Sequence, residues 1–292
     1  MNFKDKKYWA LILGGSSGMG MATAKKIASK GMNICIVHRD IRSRMSEAEE
    51  SFEEIRSMGV ELLTFNVDAS SEQNAVEILT ALQETMKESK VKLLLHAVSK
   101  GNLKSILPKK PKPNLPTANK NEIEKKFDEI NSLIEEHQAD VGELTETDIN
   151  ITHQAMCTSI IHWCKHLVAN DQFAEGARVV ALTSEGNKRI WHSYVAIAIA
   201  KSSIETLIKY LAKELAPYGV TANIIQAGIT DTPSLRMIPG NEMIRASTIN
   251  RNPFGRLTKA EDIANFIYLL CLDEAAWVNG AIIPVDGGEH FC

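Results

Sequence analysis

Apolar and β-branched residues gather in short blocks at Trp9–Leu13, Asn33–Val37, Glu61–Asn66, Leu93–Val98, Arg178–Thr183, Thr221–Gln226 and Ala281–Val285. Between most of these blocks, apolar positions recur at helical spacing over ten or more residues, as in Met19–Lys30, Ser71–Lys87, Ser193–Ala216 and Lys259–Cys271. Strand-sized blocks alternating with helical ones predict βαβ units, hence a parallel sheet with helices on both faces. Right-handed crossovers then give an α/β fold of the doubly wound Rossmann type, with about seven strands. No internal repeat and no clean linker interrupt the pattern, so the expectation is a single domain over residues 1–292.

One stretch breaks the rhythm. Residues 100–126 hold eight lysines, two glutamates and four of the nine prolines. Pro108, Pro111, Pro113 and Pro116 exclude a helix interior there, because proline removes donors and clashes with the preceding turn. Asn121–His137 then predicts an amphipathic helix, and a further helix runs from near Thr147–Asp148 to about Ala169. Residues 102–143 therefore read as an insertion after the fourth strand.

Composition narrows the function classes. The chain carries 33 Lys+Arg against 36 Asp+Glu, a net charge of −3, so no global basic field favours nucleic acid. The Lys/Pro stretch also lacks aromatic residues to stack on bases. A hydrophobic fraction of 44% excludes a disordered or fibrous protein. The longest apolar run, Tyr194–Ala200, falls far short of the ~20 residues needed to span a bilayer. Met1–Gly20 mimics a signal peptide but runs into a glycine cluster and reads as a first strand. Cys35, Cys157, Cys164, Cys271 and Cys292 are scattered, which fits a reducing cytoplasm and argues against disulfides or zinc. His162 and His166 share a helix face, but no third ligand completes a metal spacing, and a packed pair is the better expectation.

The chemistry-bearing pattern lies at the end of the first strand. Gly14-Gly15-Ser16-Ser17-Gly18-Met19-Gly20 follows Leu11-Ile12-Leu13 and opens a helix. Gly14 permits a tight turn, Gly18 lets backbone approach a pyrophosphate, and Gly20 allows close helix–strand packing. Amides at a helix N-terminus favour phosphate. A merely structural turn is the alternative, and the position in an α/β chain favours a dinucleotide.

The G-x-x-x-G-x-G spacing resembles the short-chain dehydrogenase/reductase family, with Leu13 where Thr is usual. Counted from Gly31, the resemblance places His38 at the acidic ribose position and Arg39 at the 2′-phosphate position, which implies NADPH over NADH. Asp40 is the competing signal, because a short register slip would hand it the ribose. Asp68 resembles the adenine-contacting residue, and His96-Ala97-Val98 stands where most members have Asn-Asn-Ala.

Tyr194 and Lys201 are seven residues apart, within about 20° of one helix face. A cation beside a phenol can hold and bias it as a donor, whereas the bland reading is an ordinary helix end. Tyr-x6-Lys resembles the bacterial enoyl-acyl carrier protein reductases, a branch of the same superfamily. Leu182-Thr183-Ser184-Glu185-Gly186 and Ala227–Thr232 agree with that branch, with Thr232 the best match to its cofactor loop, and residues 239–262, with Asn252–Arg256, and Val285–Gly288 resemble its NADPH-dependent type most. Met156 falls where most of the family has an active-site Asn, and Ser184 falls where several enoyl reductases have a second Tyr.

The resemblance implies reduction of a 2-enoyl thioester carried on acyl carrier protein or CoA, by a homotetramer packed through residues 148–169 and 194–215. Tyr194 and Lys201 would be catalytic. Gly14, Ser16, Ser17, Gly18, Met19, Gly20, Arg39, Asp68, His96, Lys201 and Thr232 would hold the cofactor. A 3-oxoacyl or other carbonyl reductase, and a non-catalytic dinucleotide sensor or scaffold, remain as alternatives. Lys109, Lys110 and Lys112 are either a solvated surface or a dock for an acidic carrier protein or CoA phosphates.

Overall fold

A computed structural model describes residues 3, 7–108, 142–238 and 240–292. The strands are β1 (Trp9–Leu13), β2 (Asn33–His38), β3 (Leu62–Asn66), β4 (Val91–His96), β5 (Phe173–Ser184), β6 (Thr221–Ala227) and β7 (Ile282–Val285). All pair in parallel, in the order β3-β2-β1-β4-β5-β6-β7. The order reverses between β1 and β4, and the crevice at such a switch point is where open α/β sheets bind ligands. The doubly wound sheet expected from the sequence is therefore present.

Alternation along β1 shows how the sheet is buried on both sides. Trp9, Leu11 and Leu13 point to a core shared with α3 (Glu72–Met86), α5 (Ser159–Ala169) and α6 (Val195–Leu215). Ala10 and Ile12 point to the opposite core, with α1 (Gly18–Ala28), α2 (Met45–Ser57) and α9 (Ala260–Leu270). Each fully buried Leu or Ile contributes roughly 1.5–3 kcal/mol, so the two cores hold the sheet rigid beneath its loops. Among the described residues, the other α-helices are α4 (Glu146–His153), α7 (Pro233–Arg236) and α8 (Asn241–Arg251).

The helix expected from Thr147 to Ala169 forms but is not uniform. Thr145 caps it reciprocally with Asp148, and a wide π turn at Gln154–Thr158 separates α4 from α5. Such turns push one residue outward, and here Met156 packs against Ile197 and Ala200 of α6. No glycine or proline announces the turn in the sequence.

The expected insertion is seen at its two feet. Ser105 pairs with Glu143 in an isolated parallel bridge, where the Leu144 amide donates to the Ser105 carbonyl at 2.8 Å. Lys104 and Asp148 add an ion pair at 2.9 Å. Ser105 Oγ also lies 3.0 Å from both His192 Nε2 and Ser193 Oγ, placing the feet beside the start of α6. The expected helix at Asn121–His137, together with Lys109, Lys110 and Lys112, lies outside the described residues.

Candidate active site

The turn after β1 offers a cradle for a diphosphate. Ser17 stands at the N-cap of α1 in extended conformation without capping it through its side chain, and no acidic residue occupies the first turn. The N-terminal amides are thereby left to a ligand, and the helix dipole favours an anion there. Ser16 and Met19 are half-buried beside it, and Ser17 is exposed. Gly18, at φ +53°, faces Thr232 so closely that a Cβ would lie 3.2 Å from the threonine methyl carbon. Thr232 caps α7, accepting from the Leu235 amide at 3.2 Å. The loops after β1 and β6 thus form opposite walls of one slot, and these residues fit a nicotinamide dinucleotide.

Charged residues ring the outer end of that slot. Arg39 follows β2 and is exposed; its Nη1 lies 3.0 Å from Asp68 Oδ2. Lys100, after β4, reaches the same oxygen at 3.0 Å. Burial pushes the Asp68 carboxyl up, but hydrogen bonds from Ser70 and Lys100 outweigh it and hold it at about 2. His96 lies beneath the slot rather than along it: its buried ring meets Ser159 Oγ at 2.9 Å. Burial, helped by the charge of Lys201, lowers its pKa to about 3 and keeps it neutral.

Tyr194 and Lys201 line the same cleft, with Met19, Met156, Ser184 and Thr232. Tyr194 is the N-cap residue of α6, preceded by Ser193 at φ +59°, an uncommon conformation for a side-chain-bearing residue. Burial raises the phenol pKa, while a hydrogen bond with Ser184 pulls it back, so Tyr194 remains a proton-bearing donor near neutrality. Lys201 lies two turns further along α6 and is buried, and its Nζ donates to the Leu182 carbonyl at 2.7 Å. Burial lowers its pKa to about 8, with Glu205 pulling the other way. The ammonium is therefore present below about pH 8 and lost above it. If that charge assists the reaction, kcat/KM measured from pH 6.5 to 9.5 falls through about 8, and Lys201→Arg abolishes the fall. A flat wild-type profile over that range would remove the charge from the mechanism.

Beyond Tyr194 the cleft opens into a second, largely apolar cavity of about 380 Å³. Ile190, Trp191, Leu235, Ile238 and Ile244 supply its apolar wall. Its inner rim is a buried ionic cluster that the sequence did not reveal. Arg251, at the end of α8, bonds Glu185 and also Glu289 Oε1, the latter at 2.8 Å. Both Glu289 oxygens accept the Ile229 amide, at 3.3 and 3.1 Å. Burial pushes the Glu289 carboxyl up to about 7 against the pull of Ile229 and Arg251. One carboxylate near the chain end thus ties together the ends of β5 and β6 and helix α8. The Val285–Gly288 motif pointed to that neighbourhood but not to Glu289. Gly186 was also missed in its role: a Cβ there would lie 2.6 Å from Tyr194 Cε1, so the ring packs on bare backbone.

A doubly wound sheet with an anion cradle at its switch point, and a half-buried Tyr194 with a buried Lys201 across the slot, defines a dinucleotide-dependent oxidoreductase. Comparison with known proteins agrees. A family model described as enoyl-(acyl carrier protein) reductase matches residues 120–290, and one described as short chain dehydrogenase matches residues 8–112. The chain belongs to the short-chain dehydrogenase/reductase superfamily, among its enoyl-acyl carrier protein reductase-like members. It is 24% identical over 290 residues to the enoyl-acyl-carrier-protein reductase (NADPH) FabI of Staphylococcus aureus, covering 99% of this chain and 98% of that protein. It is 26% identical over 293 residues to a cyclohexanol dehydrogenase of a Rhodococcus species, covering 97% of this chain and 96% of that one. The crystal structure of an enoyl-acyl-carrier-protein reductase (NADH) from Aquifex aeolicus superposes with a TM-score of 0.75 at 20% identity, covering 98% of both chains, a likeness of fold. Among the described residues, no helix is long and apolar enough to cross a membrane, and no group of three or more His, Cys, Asp or Glu could hold a metal.

Proposed function

We propose that this oxidoreductase reduces a 2-enoyl thioester, with NADPH as reductant. The observation that carries the reading is the placement of Tyr194 between the dinucleotide slot and the apolar cavity, with Lys201 buried behind it. A bound nicotinamide would supply hydride to the β-carbon of the enoyl group. Tyr194 would donate a hydrogen bond to the thioester oxygen as that oxygen gains enolate charge, an interaction stronger in the transition state than in the ground state. Lys201 would hold the nicotinamide ribose and bias the phenol by its charge. The apolar wall of Ile190, Trp191, Ile238 and Ile244 would take the acyl chain and keep water from the reacting carbon. Met156, in the π turn, puts a thioether where the family's active-site Asn would stand, which favours the enoyl reading over carbonyl reduction.

A second reading, carbonyl reduction of a 3-oxoacyl thioester or ketone, has one observation in its favour. Ser184 places a second hydroxyl against Tyr194, and two hydroxyls can polarise a ketone together. Oxidation of NADPH with crotonyl thioester, then acetoacetyl thioester, then neither, separates the readings. Turnover of the crotonyl thioester is expected to be at least about tenfold the faster, and turnover of the acetoacetyl substrate alone would overturn the enoyl reading. We also propose NADPH over NADH on the exposed Arg39: Arg39→Ala is expected to weaken NADPH about tenfold in fluorescence titration and NADH less than threefold. Equal weakening of both would sink that assignment. For assembly we propose a homotetramer, since Ile151 on α4 and Ile199 and Tyr210 on α6 expose apolar surface.

A further inference from the structure

The end of β2 carries two opposed signals, Arg39 for a phosphate and Asp40 for a hydroxyl, one residue apart. An acidic side chain beside the adenosine ribose binds the free 2′-OH and repels a 2′-phosphate, so an available Asp40 would cancel Arg39. In the structure Asp40 is not available. His38 is the last residue of β2, buried, with its ring 5.4 Å from that of Phe52 on α2. Its Nδ1 lies 2.8 Å from Asp40 Oδ2, and the aspartate side chain is only 13% exposed while that of Arg39 is 61% exposed. The backbone of Asp40 is fixed separately. Its amide donates to Asn66 Oδ1 at 2.9 Å, and its carbonyl accepts from Asn66 Nδ2 at 3.1 Å. Only the carboxylate is free to point one way or the other, and the His38 ring draws it inward.

We propose that His38 is a specificity-determining residue. By holding the Asp40 carboxylate against β2, it leaves the ribose end of the slot to Arg39 and Lys100 and so selects the phosphorylated cofactor. The proposal rests on the NADPH reading above. His38 acts through Asp40 and touches no cofactor itself, so it is a positioning residue. The groups it must work among are Arg39, Lys100 and Asp68, where Asp68 Oδ2 holds both cations at 3.0 Å.

The test is the ratio of NADH to NADPH dissociation constants, read by fluorescence titration of the purified full chain, with thermal unfolding run alongside to confirm folding. The wild type is expected to bind NADPH at least about tenfold tighter. His38→Phe keeps an aromatic ring against Phe52 but removes the bond, and is expected to shrink the ratio about tenfold, mainly through tighter NADH binding. His38→Asn, which can still donate to Asp40, is expected to stay within about threefold of wild type. His38→Phe combined with Asp40→Ala is expected to restore the wild-type ratio. Asp40→Asn alone is expected to change the ratio less than about threefold, because the carboxylate is already withdrawn, and this arm holds even if His38→Phe fails to fold. A wild type that prefers NADPH, together with an unchanged ratio in folded His38→Phe or a tenfold shift in Asp40→Asn, would overturn the role of His38 and leave the NADPH reading standing. A wild type with no NADPH preference would overturn both.

Discussion

Tyr194→Phe is expected to lower kcat by about 100- to 10,000-fold while leaving the NADPH dissociation constant within about threefold. The phenol sits at the head of α6, with the cofactor slot on one side and the apolar cavity on the other. Phe retains the ring that packs on Gly186 and removes only the hydroxyl, so the substitution isolates the donor. Burial keeps the phenol protonated, and a donor of this kind acts where charge appears on the substrate oxygen rather than where substrate is held. Lys201→Ala is expected to differ: it removes the group bonded to the Leu182 carbonyl and proposed to hold the ribose, so kcat and NADPH affinity fall together. Steady-state NADPH oxidation and fluorescence titration measure the two quantities separately. Wild-type turnover by Tyr194→Phe would take the residue out of the mechanism.

Gly20→Ala carries the second large expectation, through backbone rather than chemistry. A Cβ at position 20 would stand 2.1 Å from the Gly14 carbonyl oxygen and 3.0 Å from its carbon. Neither belongs to a flexible side chain, so α1 must move away from the turn it follows. Overpacking of this kind costs about 1–3 kcal/mol of stability. The larger effect falls on the ligand, because the amides of α1 and the Gly14–Gly18 turn must converge on one diphosphate. A charge-assisted hydrogen bond from backbone to phosphate contributes about 1.5–3 kcal/mol, so losing even one costs about ten- to a hundredfold in affinity. Titration should show NADPH affinity falling by about that factor, with a modest fall in Tm. Undiminished affinity in a folded variant would mean that the cradle is not where the diphosphate sits.

The parts legible in the sequence are those set by local periodicity. Trp9–Leu13 and the glycines after it announce a strand, turn and helix within a dozen residues. Tyr194 and Lys201 are legible because two helical turns bring them to one face. What stayed hidden depends on partners far apart or on a side chain's direction. Glu289 meets Arg251 and Ile229 across 38 and 60 residues, and no spacing rule reports that. Asp40 is visible as an acid at the end of β2, but whether its carboxylate points outward is decided by the ring of His38 two residues earlier. His96 took its place in the family motif, yet the structure turns its ring toward Ser159, under the slot. The π turn at Met156 contains no breaker residue, and its contact with Ile197 and Ala200 of α6 is made only in the folded chain.

The bridge between Ser105 and Glu143 has a consequence for how this chain could change over generations. Because its two feet are already joined on the body of the fold, any chain that joins such feet closes a loop between ends that the body itself holds. Closing entropy grows only logarithmically, so doubling such a loop costs about 0.6 kcal/mol, less than the burial of one leucine contributes. On that scale, a change in the number of residues between such feet costs little to β4, α4 or the helix that carries Tyr194. The same feet rest against His192 and Ser193, next to the cavity mouth. A change of length that the fold tolerates thus falls beside the cavity mouth, while the sheet that carries the slot rests on its own two cores.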